Sequence, residues 1–290
     1  MRLPTHISRY SAVLLAIAGL QLGACASLIS NVASDMADNL SSAMLNQDDP
    51  ETVRAGMPSY MLLMDSFVEG SPDDPDMLTA AAKLYALYGA VFVEDEVRAR
   101  RLTTRARKYA LKAMCGTYAP SCEWRELNYE DFVATLDGLT ERDVEVVYSY
   151  ALATVTHLLA HSSDLNALAE LPQAEALLGR YLELSGEAAQ PSAHIYLGAL
   201  QTIFPPSLGG KPEEASAHFE KAIALTNGRD LSAKIWFAKG YAKTLYDREL
   251  HDELVDEVLA ASPYADGLTL TNVLAQEEAL QLRAAANDYF

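Results

Sequence analysis

Residues 205–222 read Pro-Pro-Ser-Leu-Gly-Gly-Lys-Pro-Glu-Glu-Ala-Ser-Ala-His-Phe-Glu-Lys-Ala, a hard stop followed by a helix start. Pro205 and Pro206 end whatever precedes them, because proline lacks an N–H and clashes with the preceding helical turn. Gly209 and Gly210 admit positive φ. Pro212 suits the first turn of a helix, and Glu213 and Glu214 sit beside the positive end of its dipole. Ala215, Phe219, Ala222 and Ile223 then recur at i, i+4, i+7 and i+8, one apolar helical face. A chain built around such a segment contains a helical hairpin with a long, stiff elbow.

The rest of the chain carries the same period. No window alternates apolar and polar residues with period two, so the fold class is all-α, a bundle or array of helical hairpins. Apolar stripes predict helices over Leu28–Met44, Glu51–Glu69, Asp76–Glu94, Glu141–His161, Leu171–Leu184 and Leu270–Ala286. Gly70-Ser71-Pro72-Asp73-Asp74-Pro75 is a strong break. Ala80-Ala81-Ala82 and Ala86 give one helix a small-residue face suited to close packing. Asn128 and Thr140 each precede an Asp by three residues, the spacing of a helix N-cap. Asp230 and Asp247 read as further caps, and Asn227-Gly228 as a helix end.

The first 24 residues read as a targeting segment, and residues 25–290 as a single helical domain. Arg2 and Arg9 precede an apolar run, Ser11–Leu22, that is too short to span a bilayer, which takes about 20 apolar residues. Leu22-Gly23-Ala24-Cys25 resembles the lipobox of bacterial lipoproteins, with Cys25 as the acylated residue and new N-terminus. The alternative is an ordinary secretory signal cut after Ala24 or Ala26. Acyl chains on Cys25 would hold the chain at a membrane without spanning it. Ala26 follows Cys25 where an Asp is absent, and by resemblance to Gram-negative lipoproteins this points to the periplasmic face of the outer membrane. Without residues 1–24, which carry two arginines and no acid, 20 basic residues face 40 acidic ones, a net charge of −20. Such a surface repels nucleic acid and anionic lipid.

Cys115 and Cys122 remain. In an oxidising periplasm they form a candidate disulfide around a short loop containing Pro120; free thiols and a metal pair are the alternatives. A metal pair lacks further Cys or His nearby in sequence. Arg98, Arg100, Arg101, Arg105, Arg107, Lys108 and Lys112 form the one basic cluster. They scatter around a helix, which suits a solvated face paired with Glu94, Asp95 and Glu96 more than an anion-attracting stripe.

Catalytic chemistry is not written in the chain. It has no GxSxG, Walker loop, GxGxxG or HExxH. His157 and His161 have a metal-capable i, i+4 spacing, but Leu158-Leu159-Ala160 between them supplies no Glu base, and no third ligand is evident. The reading is therefore a non-enzyme without metal or cofactor. Tyr196, Phe204, Trp236, Phe237, Tyr241 and Tyr246 crowd the best-patterned third of the chain. Such residues fill an inter-helix core or line a groove for an apolar or amphiphilic ligand. Tyr196, Phe204, Leu208, Lys211, Trp236 and Tyr241 are the candidates for groove or partner contact.

Helix pairs of this length also fit a degenerate tetratricopeptide register. Anchored on Gly198, it meets Ala215, Phe219 and Ala222 after a five-residue insertion, the elbow itself. A second copy at Trp236, Lys239 and Gly240 and a third at Ala106, Ala110 and Ala113 are weaker; an irregular bundle is the alternative. Insertions in such arrays emerge on one face, so Ser207–Lys211 is expected at a groove rim or a subunit contact.

Three blocks give the chain a family likeness. They are Pro205-Pro206 through Ala222; Tyr241-Ala242 with Tyr246-Asp247-Arg248-Glu249-Leu250-His251; and Leu270-Thr271-Asn272-Val273-Leu274-Ala275-Gln276 running to Asp288-Tyr289-Phe290. With the lipobox ahead of them, they resemble the TatT component, the periplasmic lipoprotein associated with some TRAP transporters. Pro72-Asp73 with Leu78–Tyr88 adds weaker support. The resemblance implies an all-helical protein with tetratricopeptide-like motifs, a homotrimer with a pore or groove through each subunit, and a periplasmic solute-binding P component as partner. It also implies a ligand that is hydrophobic or a carboxylate, and no catalytic residues. The competing reading is an assembly lipoprotein that binds another envelope protein and no small molecule.

Overall fold

The computed structural model describes residues 39–186 and 189–290. Among them there is no strand. The main helices are α1 (Pro50–Gly70), α2 (Pro75–Val91), α3 (Glu96–Thr117), α4 (Tyr129–Leu136), α5 (Val144–Ala160) and α6 (Leu171–Ser185). They continue with α7 (Pro191–Gln201), α8 (Pro212–Leu225), α9 (Leu231–Trp236), α10 (Arg248–Ala260) and α11 (Thr269–Tyr289). Most of the helix expected over Leu28–Met44 lies outside the described residues; residues 39–45 are helical.

The helices start where short polar side chains can satisfy orphan backbone donors. Asp49 accepts from the Glu51 N–H, Asp74 from those of Asp76 and Met77, and Asp95 from that of Arg98. Asn128 accepts from the Asp131 N–H at 2.9 Å, and the Thr140 N–H donates to Asp143 at 2.9 Å. Asp230 and Asp247 cap α9 and α10 as their spacing predicts. Asn227 and Gly228 both take positive φ, at 51° and 70°, and close α8.

Two apolar cores organise the described residues. The first joins α1–α6: Ala81, Ala82 and Ala86 of α2 are fully buried along α3, whose Ala106, Ala110 and Ala113 are equally buried. Asp65 ties three of these helices, accepting from Tyr85 Oη at 2.7 Å, Tyr109 Oη at 2.8 Å and Arg105 Nη1 at 3.1 Å. Trp124 anchors the segment after α3. Its ring packs on Phe132 and Tyr150, and its Nε1 donates to Thr135 Oγ1 at 2.7 Å. The second core joins α7–α11 around Phe219, Ile235, Val255 and Val258. Helix α7 is the shared wall: Ala193, Leu197 and Leu200 belong to the first core and Ile195 to the second. Buried Asn272 fastens the C-terminal half, accepting from the Leu231 N–H at 2.9 Å and donating to the Arg229 and Pro263 carbonyls.

The elbow between α7 and α8 folds back on itself. Its two glycines do different things. Gly209 takes φ +96°, as the sequence predicts, while Gly210 does not have positive φ; a Cβ there would collide with the Phe204 carbonyl. The Lys211 N–H donates to the Gln201 carbonyl at 2.9 Å, and its ammonium pairs with Glu175 of α6. Helix α9 does not end at Trp236. It runs on as a wider, π-helical turn over Phe237–Ala242, a local insertion that apolar spacing does not reveal.

Candidate functional site

A groove of about 900 Å³ lies where the two halves of the described chain meet. Four separate segments wall it: the entry to α1, the end of α2, α9 with its π-helical turn, and α11. Ser232, Ile235, Trp236 and Lys239 fall at i, i+3, i+4 and i+7, so one face of α9 points into it. Thr271, Leu274, Ala275 and Glu278 do the same from α11. Val91 and Phe92 extend the apolar floor from the end of α2.

Its charges are unequal. Asp49, Glu51, Glu94, Glu277 and Glu278 face two bases, Arg54 and Lys239. Both bases are already engaged. Arg54 pairs with Glu51, and Lys239 Nζ lies 2.7 Å from Glu278 Oε1 and 3.7 Å from the centre of the Trp236 ring. The ammonium is thus held between a carboxylate and an aromatic face.

The six residues singled out for groove or partner contact are not brought together. Trp236 lines the groove. Tyr241, on the π-helical turn, packs edge-on to Phe237 at 5.1 Å. Tyr196 packs against the first core, and burial pushes its phenol well above the usual range. Phe204 packs against the first core as well. Leu208 is 68% exposed at the elbow tip. Lys211 is turned toward Glu175 of α6. The elbow therefore does not border the groove, because the Gln201 and Glu175 bonds hold it against the end of α7 and the side of α6.

Cys115 and Cys122 lie with Cα atoms 4.6 Å apart and their sulfurs joined, clipping the end of α3 to the Trp124 segment. Cys25 lies outside the described residues. His157 and His161 stack at 4.0 Å, and the Nδ1 of His161 meets the His157 carbonyl at 2.8 Å. Among the described residues no group of three or more His, Cys, Asp or Glu is placed to hold a metal. The basic cluster on α3 pairs mainly across helices and not with Glu94–Glu96. Arg105 reaches Asp65, Arg107 reaches Glu170 and Lys112 reaches Asp73; Arg100 alone takes Glu96.

Sequence reasoning missed Asp49, Glu94, Lys239 and Glu278 as groove residues. The only local signal was the i, i+3 spacing of Trp236 and Lys239.

A family model described as TRAP transporter T-component matches residues 46–290, every groove segment included. The chain belongs to that family. No curated relative matches it. The family's description associates it with a transporter. No helix among the described residues is long and apolar enough to cross a membrane.

Proposed function

We propose that this T component is a lipid-anchored periplasmic adaptor that binds the solute-binding protein of a TRAP transporter. The observation that carries the reading is the groove of about 900 Å³ in a chain matched to the family over residues 46–290. That volume is within the range of small-molecule and recognition clefts. Anchoring would come from acylated Cys25, assembly from a homotrimer, and the address from the outer membrane's periplasmic face. A hydrophobic or carboxylate ligand would use the Val91, Phe92 and Trp236 floor, with Lys239 as its counter-ion once Glu278 is displaced. Leu208, exposed at the elbow tip, is a second partner contact on a different face.

An assembly role, with a protein partner and no small molecule, is the second reading. It is favoured by the polar half of the groove lining. Affinity purification of the full chain from membranes separates the two. Recovery of a TRAP solute-binding protein in stoichiometric amount supports the adaptor, whereas recovery of other envelope proteins without it supports assembly. Cys25→Ala should move the protein from the membrane to the soluble fraction; a variant that stays on the membrane contradicts the anchor.

A further inference from the structure

The groove has a chemistry that the adaptor reading does not specify. Its floor is apolar, with Val91, Phe92, Ile235 and Leu274. Its two bases pair with Glu51 and Glu278, and Arg54 also lies in the field of Glu94, so among the described lining residues five acids outnumber two bases and Asp49, Glu94 and Glu277 form no salt bridge. These three come from different segments, the entry to α1, the chain after α2, and α11. An apolar floor with a charged rim is the anatomy of a protein interface, in which the rim steers and the core anchors. A carboxylate could sit here only by displacing Glu278 from Lys239, whereas a cation meets free acids of the rim directly.

We infer that the groove docks a basic amphipathic segment of the partner protein, with apolar side chains on the Val91–Phe92–Leu274 floor and Lys or Arg at Asp49, Glu94 and Glu277. The inference rests on the adaptor reading only for whose segment it is; the groove's preference for cations is independent of it. The overall acidity of the chain would draw such a segment in from a distance, and the groove would give it a seat.

The test uses a short amphipathic helical peptide of Leu and Lys, titrated against the full chain at low and at physiological salt. Its counterpart with Glu in place of Lys is the charge control. Two double variants change net charge equally: Glu94→Lys with Glu277→Lys at the groove, and Glu126→Lys with Glu141→Lys at exposed positions that do not border it. The expected result is saturable binding of the Lys peptide alone, weakened roughly tenfold or more by the groove pair and little by the remote pair. Equal weakening by both pairs would mean diffuse attraction to an acidic surface and would overturn the proposal. So would an anionic apolar dye, anilinonaphthalene sulfonate, whose binding the groove pair strengthens while the Lys peptide fails to displace it; the groove would then be a small-molecule cleft. Co-purification with the solute-binding protein is read separately. Its failure alongside successful peptide binding would sink the partner and leave the groove chemistry standing.

Discussion

Gly198→Ala should destabilise the protein even though alanine is the better helix former. Gly198 lies inside α7, where exchange to Ala would ordinarily contribute about 1 kcal/mol of helix propensity. The site forbids it. A Cβ there would stand 2.6, 2.7 and 2.8 Å from three atoms of the Phe219 ring, which is fully buried against α7 from α8. Carbon atoms pack best at about 3.5–4.0 Å, so the helices must separate or the ring must move by about 1 Å. Overpacking of this kind costs about 1–3 kcal/mol, and after the propensity gain a net loss of ~1 kcal/mol is expected. For a domain of this size each kcal/mol lowers the melting temperature by about 2–4 °C. The assay is thermal and urea unfolding of wild type, Gly198→Ala, Phe219→Leu and the double variant. Because Leu withdraws the clashing ring atoms, Gly198→Ala should be neutral or stabilising in the Phe219→Leu background, giving a coupling of at least ~1 kcal/mol. A Gly198→Ala protein that melts higher than wild type, or an effect identical in both backgrounds, would refute the close helix contact.

Other consequences are open to measurement. Glu170→Gln should cost about 3 kcal/mol, because it leaves Arg107, whose side chain is only 8% exposed, as a buried charge without its carboxylate; denaturant midpoints check it, and a loss below ~1 kcal/mol would show the pair to be solvated. Burial first, then the Arg107 guanidinium, holds His157 down to about 3, and burial then His218 hold His194 down to about 4. Since the folded state disfavours these protons and the unfolded chain accepts them near pH 6.5, stability is full above that pH and falls as the pH drops toward 4. His157→Gln should flatten that acid slope, and an unchanged slope would remove His157 as its source.

What could be read from the sequence was what is local. The caps at Asn128, Thr140, Asp230 and Asp247 involve neighbours two or three residues away, and the structure uses all four as their spacing suggests. The Gly209–Gly210 pair was legible as a turn, but φ and close approach are different demands and only the structure separates them. The α3 bases were matched to Glu94–Glu96 because those are close in sequence; their partners Asp65, Asp73 and Glu170 arrive from other elements. The groove was illegible for the same reason. Its walls come from residues near 50, 91, 236 and 275, and one wall carries a π-helical turn that shifts register by a residue without any apolar signature. The aromatic crowd of the C-terminal third mostly fills space, with Trp236 the one of the six candidates that reaches the groove.

The most direct test is a photo-crosslinking residue at Gln281, on the groove lip of α11, compared with one at Leu165, which is 78% exposed and does not border the groove. Irradiated in membranes that contain the whole transporter, the Gln281 position is expected to link to the solute-binding protein and the Leu165 position not to. A solute-binding protein captured from Leu165 and not from Gln281 would contradict the groove as the place where this T component meets its transporter.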